Sequence, residues 1–86
     1  MTRKELVVKH EDGSQAQSAA LIVKCAANYK STLTIEHGSR TGNGRTLFGI
    51  LTLGIKQDDV ICFVAEGEDE QALISALTAL NESNYE

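Results

Sequence analysis

The chain has 86 residues, a formal net charge of −4 at pH 7 and a sequence pI near 5.1. A chain of this length supports one hydrophobic core, so we predict a single domain over residues 1–86. The acidic balance argues against nucleic acids and anionic membranes as partners, because both attract clustered lysine and arginine. We expect proteins as partners, and a chain that is a monomer or a weak dimer.

The N-terminal segment MTRKELVVKHEDG carries charges on both sides of a short apolar run. It lacks the core of a signal peptide, and no run of residues approaches the ~20 apolar residues of a membrane span. We therefore expect a cytoplasmic protein. Cys25 and Cys62 belong to no metal-binding spacing, so we expect two free thiols and neither a metal nor another cofactor.

The first part of the chain predicts a strand and a helix joined by a turn. Residues 4–9 (KELVVK) form a short apolar run, which two acidic residues and Gly13 follow. Ser14 and Gln17 have the spacing of a capping box, in which both side chains satisfy backbone donors at a helix start. Apolar residues then recur at helical spacing, and their small size favours close packing on a sheet: Ala16, Ala19, Ala20, Val23 and Ala27.

The middle of the chain predicts two strands and a short helix. Within residues 31–36, Leu33 and Ile35 alternate with polar residues, as in a strand with one buried face. Residues 37–39 are predicted to form a turn, and residues 40–45 a weak edge strand or a loop. Thr46 suits the N-cap of a short helix over residues 47–53, which Gly54 ends.

The last part of the chain predicts a strand and a helix. Residues 60–65 (VICFVA) are the strongest strand candidate, since they are rich in β-branched and aromatic side chains. The carboxylates within residues 66–70 suit the positive end of a helix. In that helix, Leu73, Leu77 and Leu80 recur on one face.

This order, β-α-β-β-α-β-α, predicts an α+β fold of the open-faced β-sandwich type. A four-stranded antiparallel sheet would carry three helices on one face. The alternation within the strands leaves Val7, Cys62 and Val64 on the open face. We expect an apolar patch there, able to support weak self-association. The alternative is that β-branched residues occur there for strand propensity alone.

The order of elements and several local strings give the chain a resemblance to HPr, the histidine-containing phosphocarrier of the phosphoenolpyruvate-dependent sugar phosphotransferase system. The resemblance extends over essentially the whole chain. It implies an HPr-like fold, with partners among the proteins of that system or a transcriptional regulator. The strings that carry it are Gly13, AA at residues 19–20, RTLFG at 45–49, TLG at 52–54 and AEGEDE at 65–70.

The phosphoryl-accepting centre that the resemblance implies is altered. The family segment looks like Gly-Leu-His-Thr-Arg-Pro-Ala-Ala, whereas residues 13–20 are GSQAQSAA. Gln15 stands in place of the phosphoryl-accepting histidine, Gln17 in place of the charge-balancing arginine, and Ser18 in place of the proline. A relative of HPr involved in catabolite repression also has glutamine at the first position but keeps the arginine. Because a carboxamide lacks the basic lone pair of imidazole, the resemblance implies a variant without a catalytic residue that cannot act as a histidine phosphocarrier.

The start of the short helix is a second position with a counterpart in the family. Members from Gram-positive bacteria have a regulatory serine there, and Thr46 stands at that position. The resemblance makes Thr46 a candidate for regulatory phosphorylation, since a phosphate at a helix start meets backbone donors. The alternative is a plain N-cap.

The short helix cannot turn all of its apolar residues to the sheet. Ile50 and Leu53 share one face, whereas Leu47, Phe48 and Leu51 share another. We predict that the second set is exposed and binds partner proteins, because the family meets its partners in this region.

Four other polar residues need an interpretation. Gln15 and Gln17 are candidates for partner binding, with a purely structural role as the alternative. His10 and His37 lie at strand ends near charges or a turn, and we expect both to be solvated. No motif of an enzyme is found.

These patterns favour a non-catalytic, HPr-like regulatory or protein-interaction module connected with the phosphotransferase system. Two alternatives stay open: a working phosphocarrier that uses another residue, and a degenerate paralogue recruited to an unrelated partner. The apolar residues of the short helix favour interaction. The loss of both the histidine and the arginine opposes phosphoryl transfer.

Overall fold

The computed structural model describes residues 1–10, 15–83 and 85, and its elements follow the predicted order. The fold is α+β, an open-faced sandwich of four antiparallel strands and three helices. In the part of the chain that the model describes, no helix is long and apolar enough to cross a membrane. The elements are β1 (Thr2–Val7), α1 (Gln15–Ala26), β2 (Thr32–His37), β3 (Arg40–Asn43), α2 (Leu47–Leu51), β4 (Val60–Glu66) and α3 (Glu70–Glu82).

The sheet has the strand order β1-β4-β2-β3, and every neighbouring pair is antiparallel. β4 is the inner strand between β1 and β2, and its Phe63 lies opposite Lys4 of β1 and opposite Ile35 of β2. β1 and β3 are the edges. This order brings the end of α1, the start of α2 and the edge strand β3 to one side of the molecule.

The core lies between the sheet and the helices. The alternation predicted for β2 and β4 is confirmed, since alternate residues of both strands are buried: Leu33, Ile35, Ile61, Phe63 and Ala65. From α3, Leu73 and Leu77 are fully buried, and Leu80 is partly buried and packs against the core. Burying one such side chain stabilises a fold by about 1.5–3 kcal/mol.

The buried face of α1 differs from the predicted one. Ala19 is buried as expected, but Ala16, Ala20 and Ala27 are exposed and Val23 is half-buried. Burial of an isoleucine removes more apolar area from water than burial of an alanine does, so Ile22 governs the rotation of the helix. The residues of α1 that are buried are Ser18, Ala19, Ile22 and Ala26.

Several element boundaries differ from the predicted ones, and β1 ends at Val7 rather than at residue 9. β1 begins at Thr2 rather than at residue 4, because β4 continues far enough for Ala65 to lie opposite Thr2. α2 ends at Leu51 rather than at residue 53. Its end is tightened by a hydrogen bond of 3.1 Å from the amide of Leu53 to the carbonyl of Ile50, and Gly54 follows with a φ of 62°.

The open face of the sheet is less apolar than predicted. Val7 is 48% exposed, but Val64 is 8% exposed and Cys62 is half-buried. Arg3 on β1 donates to Glu36 on β2 at 2.6 Å, and β4 lies between these two strands. The ion pair therefore covers the central strand, and the prediction of a continuous patch of Val7, Cys62 and Val64 is wrong.

The two cysteines are free thiols, as predicted. Cys25 borders a shallow groove between α1 and α3. Cys62 lies opposite Glu5 and Glu36 on the open face of the sheet. The sheet separates the two thiols.

Two glycines bring α2 into close contact with β3. A Cβ atom on Gly42 would lie 2.3 Å from the backbone oxygen of Gly49. A Cβ atom on Gly49 would lie 2.6 Å from the backbone oxygen of Asn43. A side chain at either glycine would thus push the short helix away from the sheet.

Candidate functional site

The start of α1 places two of the predicted site residues in different surroundings. Gln15 is half-buried and lines a cavity of about 290 Å³ between α1 and α2, whereas Gln17 is exposed and does not line it. Ser18 is 3% exposed. The predicted capping box depends on Ser14, which lies outside the described residues.

Thr46 is the N-cap of α2, as predicted. Its backbone is extended, with a φ of −125° and a ψ of 139°, and its hydroxyl accepts a hydrogen bond of 3.2 Å from the amide of Gly49. This bond satisfies one of the backbone donors that a helix start leaves without a partner. Thr46 is exposed as a residue, and its hydroxyl also donates to the carbonyl of Asn43 at 3.5 Å.

The apolar residues of α2 divide between the core and the surface as predicted. Ile50 is 5% exposed and Leu53 is 2% exposed. Leu47 is 43% exposed, Phe48 79% and Leu51 40%, and we call these three residues the α2 patch. Three large apolar side chains on one short helix form the kind of exposed surface that binds other proteins.

Arg45, in the loop before α2, forms hydrogen bonds with the end of α1 and the segment that follows it. Its Nη1 lies 2.8 Å from the carbonyl oxygen of Ala26, 2.9 Å from that of Tyr29 and 3.1 Å from that of Ser31. Carbonyl groups at the C-terminal end of a helix lack partners within the helix, and a cation is favourable there. The position of Thr46 and of the α2 patch therefore depends on α1.

His37 connects the end of β2 with the segment between α2 and β4. Its Nδ1 lies 2.9 Å from the carbonyl oxygen of Leu53, and its Nε2 lies 3.0 Å from the carboxylate of Asp59. Both partners are acceptors, so the ring makes both hydrogen bonds only when both nitrogens carry a proton. The side chain is 24% exposed, and the prediction of a solvated His37 is wrong. The backbone amide of Lys56, and then the charge of His37, lower the pKa of Asp59.

His10 is buried rather than solvated, so this prediction is also wrong. It is 5% exposed, and its ring packs edge-on against the ring of Tyr85 with 5.8 Å between the centroids. Tyr85 reaches this position because the chain turns back after α3, where its amide bonds to the carbonyl of Leu80 at 3.0 Å. Burial raises the pKa of Tyr85 to about 12. No local sequence pattern indicates this contact.

The acidic run before α3 does more than favour a helix start. Asp69 occupies the N-cap position but makes no cap bond with its side chain. Its carboxylate accepts hydrogen bonds from the amides of Lys30 at 2.8 Å and Ser31 at 3.0 Å, and from the hydroxyl of Ser31. The carboxylate of Glu70 accepts from the hydroxyl of Thr2 and lies 2.9 Å from the N-terminal ammonium group. Both carboxylates therefore join separate parts of the chain.

The predicted partner-binding residues are only partly brought together. Gln15 and Leu51 line the same cavity, so the start of α1 and the α2 patch adjoin there. Gln17 lies on the exposed side of α1. Among residues 1–10, 15–83 and 85, no group of three or more His, Cys, Asp or Glu side chains is arranged to hold a metal ion.

The chain matches a protein-family model over residues 2–83, that of PTS-HPr, described as the PTS HPr component phosphorylation site. The protein therefore belongs to the HPr family. Proteins of this family are phosphocarriers of the phosphotransferase system rather than enzymes, and they act together with its other proteins.

The relatives include both carriers and an HPr-like protein. The phosphocarrier protein HPr of Borreliella burgdorferi is 36% identical over 83 residues, which are 96% of each chain. The HPr-like protein Crh of Halalkalibacterium halodurans is 35% identical, over 95% of this chain and 98% of its own length. The crystal structure of HPr-C-His from Thermoanaerobacter tengcongensis is 34% identical and has a TM-score of 0.93, with 99% of this chain and 96% of that chain covered.

Proposed function

We propose that this protein is an HPr-family member that carries no phosphoryl group on a histidine and acts as a regulatory, protein-binding module of the phosphotransferase system. The observation that carries the proposal is the exposed α2 patch, which adjoins Gln15. The family resemblance assigns the phosphoryl-accepting position to Gln15. A surface suited to protein partners is thus combined with a side chain unsuited to phosphoryl transfer.

The side chains at positions 15 and 17 oppose the chemistry of a carrier. The nitrogen of Gln15 is conjugated with its carbonyl group and has no basic lone pair to attack phosphorus. Gln17 brings no positive charge to balance a phosphoryl dianion, whereas an arginine would offer a bidentate, charge-assisted contact. Glutamine at both positions leaves hydrogen bonding as the chemistry available there.

A working carrier that uses another residue is the second candidate, because the chain is 36% identical to an established phosphocarrier. The chain contains two histidines, and the surroundings of both oppose this role. His10 is 5% exposed, and both ring nitrogens of His37 lie within 3.0 Å of acceptors. An incoming phosphoryl group would have to break these contacts to reach a lone pair.

The docking surface in this proposal consists of the α2 patch with Gln15 and Gln17. Phe48 is its most exposed apolar side chain, and aromatic side chains are frequent among the residues that dominate binding energy. The similarity to an HPr-like protein, at 35% identity, supports a role other than that of a carrier. Partners of this surface would be components of the phosphotransferase system or a transcriptional regulator.

A labelling experiment and an affinity experiment test the proposal together. Incubation with radiolabelled phosphoenolpyruvate and the general phosphotransferase enzyme is expected to leave the wild-type protein unlabelled; acid-labile label on it would refute the non-carrier assignment. In affinity chromatography of native lysate, Phe48→Ala is expected to lose the partner that wild type retains. Val60→Ala is the matched control, because Val60 is 51% exposed but lies on the sheet. Identical retained proteins for wild type and Phe48→Ala would contradict docking through α2.

Thr46 is the residue through which we expect this docking to be regulated. A phosphate would add about −2 charge beside Leu47 and Phe48, which would repel an apolar or acidic partner without changing the fold. We predict phosphorylation of Thr46 in protein isolated from its native host, with an occupancy that varies with the carbon source. Mass spectrometry checks this, and an unmodified Thr46 under every carbon source would contradict it.

A further inference from the structure

Among residues 1–10, 15–83 and 85, those of α1, α2 and the adjoining strand ends line a cavity. The cavity there has a volume of about 290 Å³. The cavity is partly open, since Leu51, Gly54 and Lys56 in its lining are exposed. An apolar cavity of about 150 Å³ is large enough to bind benzene. The cavity thus has room for a ligand of about ten non-hydrogen atoms. The buried part of its apolar wall consists of Val8, Ala19, Ile22, Ile50, Ile55 and Ile61, and the exposed Leu51 lies at its edge.

Several polar side chains also line this cavity. His10 and Tyr85 are each 5% exposed, Ser18 is 3% exposed, and Gln15 is half-buried at the first turn of α1. Because burial raises the pKa of Tyr85 to about 12, its hydroxyl keeps its proton and is able to donate. An apolar cavity with a few convergent polar groups is the usual form of a small-molecule site.

The charge of the lining determines which ligand fits. Lys56 is the one residue of formal charge at neutral pH among the described residues that line the cavity. The protein as a whole is acidic, with a net charge of −4, so this cation is not part of a generally basic surface. Lys56 lines the same cavity as Gln15, and its charge also acts on Asp59. A cation and a carboxamide donor suit a carboxylate, and the isoleucines suit an aliphatic chain.

We propose that this cavity binds a small aliphatic monocarboxylate of about six to eight carbon atoms. The chain of the ligand packs against the isoleucines of the wall, and its carboxylate lies near Lys56 and the amide group of Gln15. A glutamine is suited to this role, because its amide donates to a carboxylate. No covalent step is involved.

The cavity and the docking surface share Gln15 and Leu51. Occupancy by the ligand would therefore change the surface that a partner meets, a consequence that rests on the proposed function. Binding of the ligand itself does not rest on it. The experiments below measure only ligand binding, so their failure is distinguishable from failure of the docking proposal.

The first experiment titrates the protein with sodium octanoate while the methyl resonances of Ile22, Ile50, Ile55 and Ile61 are followed by NMR. We expect saturable shifts of these methyl groups. Octanol, which keeps the chain but has no charge, is expected to bind at least tenfold more weakly, and acetate, which keeps the charge but has no chain, is expected to show no saturation. Absence of saturation with octanoate, or equal affinity for octanol, would overturn the proposal.

The second experiment fills the cavity. Ala19→Leu places a larger side chain in the wall and is expected to abolish octanoate binding. Ala20→Leu is the matched control, because Ala20 is exposed on the same helix, and it should bind octanoate as wild type does. Binding by a folded Ala19→Leu protein with wild-type affinity would place octanoate elsewhere and overturn the proposal.

A third variant tests the charge without adding bulk to the core. Lys56→Met is expected to weaken octanoate binding about three- to tenfold and to leave the weaker affinity for octanol unchanged. Lys24→Met, at an exposed position on α1 that does not line the cavity, should leave both affinities unchanged. An unchanged octanoate affinity in Lys56→Met would overturn the assignment of a carboxylate ligand, and this result remains decisive if Ala19→Leu does not fold.

Discussion

At the scale of single residues, adjacent carboxylates bind separate parts of the chain. Asp69 accepts hydrogen bonds from Lys30 and Ser31, just before β2, and Glu70 accepts them from the start of β1 and the N-terminal ammonium group. The hydrogen bond from Thr2, followed by those from the N-terminal amine and the amide of Gly67, lowers the pKa of Glu70 from 4.5 to about 2. Folding is therefore coupled to the ionisation of Glu70.

We predict that Glu70→Gln reduces the loss of stability in acid. A carboxyl group with a lowered pKa stabilises the folded state fully above its unfolded pKa, and this contribution disappears as the pH falls from about 4.5 to about 2. The free energy of unfolding of the variant, measured in urea across this pH range, should decline less steeply than that of wild type. The pKa of Asp69 is lowered too, first by the hydroxyl of Ser31, so part of the slope should remain. Glu68→Gln, at an exposed residue, is the control; if it flattens the slope equally, the role of Glu70 is refuted.

We predict that phosphoryl transfer is restored stepwise at positions 15 and 17. Gln15→His returns an acceptor nitrogen, so slow labelling by phosphoenolpyruvate and the general enzyme is expected. Adding Gln17→Arg returns a charge-assisted contact of about 1.5–3 kcal/mol, which raises the rate roughly ten- to a hundredfold if it acts in the transition state. Initial rates of radiolabelling compare the two variants, and equal rates would refute the role assigned to position 17.

At the scale of elements, α2 is positioned by groups outside itself. It has five residues, too few to be stable as an isolated helix. Thr46 caps its start, His37 binds the carbonyl of Leu53 just beyond its end, and glycines allow its close approach to β3. The α2 patch is therefore held by tertiary contacts rather than by helix propensity.

We predict that Gly49→Ala displaces α2. The new Cβ atom would lie 2.6 Å from the backbone oxygen of Asn43 and 2.7 Å from the hydroxyl of Thr46, so the helix must move. We expect a loss of about 1–3 kcal/mol in the free energy of unfolding, together with faster hydrogen exchange in α2. Leu47→Ala, at a side chain 43% exposed, should change stability by only about 0.5 kcal/mol. Equal stability of the two variants would show that the close approach of Gly49 to Asn43 does not determine the position of α2.

At the scale of the whole molecule, the ion pair of Arg3 with Glu36 leaves little apolar area on the open face of the sheet. The exposed apolar residues of this face are Val7 and Val60, which lie opposite each other at one end of the β1–β4 pair. Two valines supply far less surface area than the roughly 1,000 Å² that a stable interface buries. The structure therefore predicts weaker self-association than the sequence alone does.

We predict that the protein sediments as a monomer up to millimolar concentration. Arg3→Ala should uncover Cys62 and Val64 and produce measurable association, because the ion pair then no longer covers the central strand. Analytical ultracentrifugation compares the two proteins in the presence of a reductant, so that intermolecular disulfides do not contribute. A wild-type dimer at micromolar concentration would contradict this prediction.

The sequence predicts those features that local patterns determine. Alternation identifies β2 and β4, and the division of a short helix into two faces identifies the α2 patch. The face of α1 was misassigned because alanines occur on all sides of it and their spacing does not distinguish the buried side. The contact of His10 with Tyr85 and the three carbonyls around Arg45 join distant segments, so they depend on the folded structure and no local pattern encodes them.

The three carbonyl contacts of Arg45 also restrict the conformation of the loop in which an enzyme would meet Thr46. The loop that carries Thr46 cannot be drawn out as an extended strand unless the guanidinium gives up its hydrogen bonds to the carbonyls of Tyr29 and Ser31 and to that of Ala26, to which the amide of Tyr29 also donates. These contacts oppose an enzyme that binds its substrate as a stretched peptide. If Thr46 is phosphorylated as proposed, the enzyme would therefore recognise the assembled surface, and a short synthetic peptide of the same sequence would be a poor substrate.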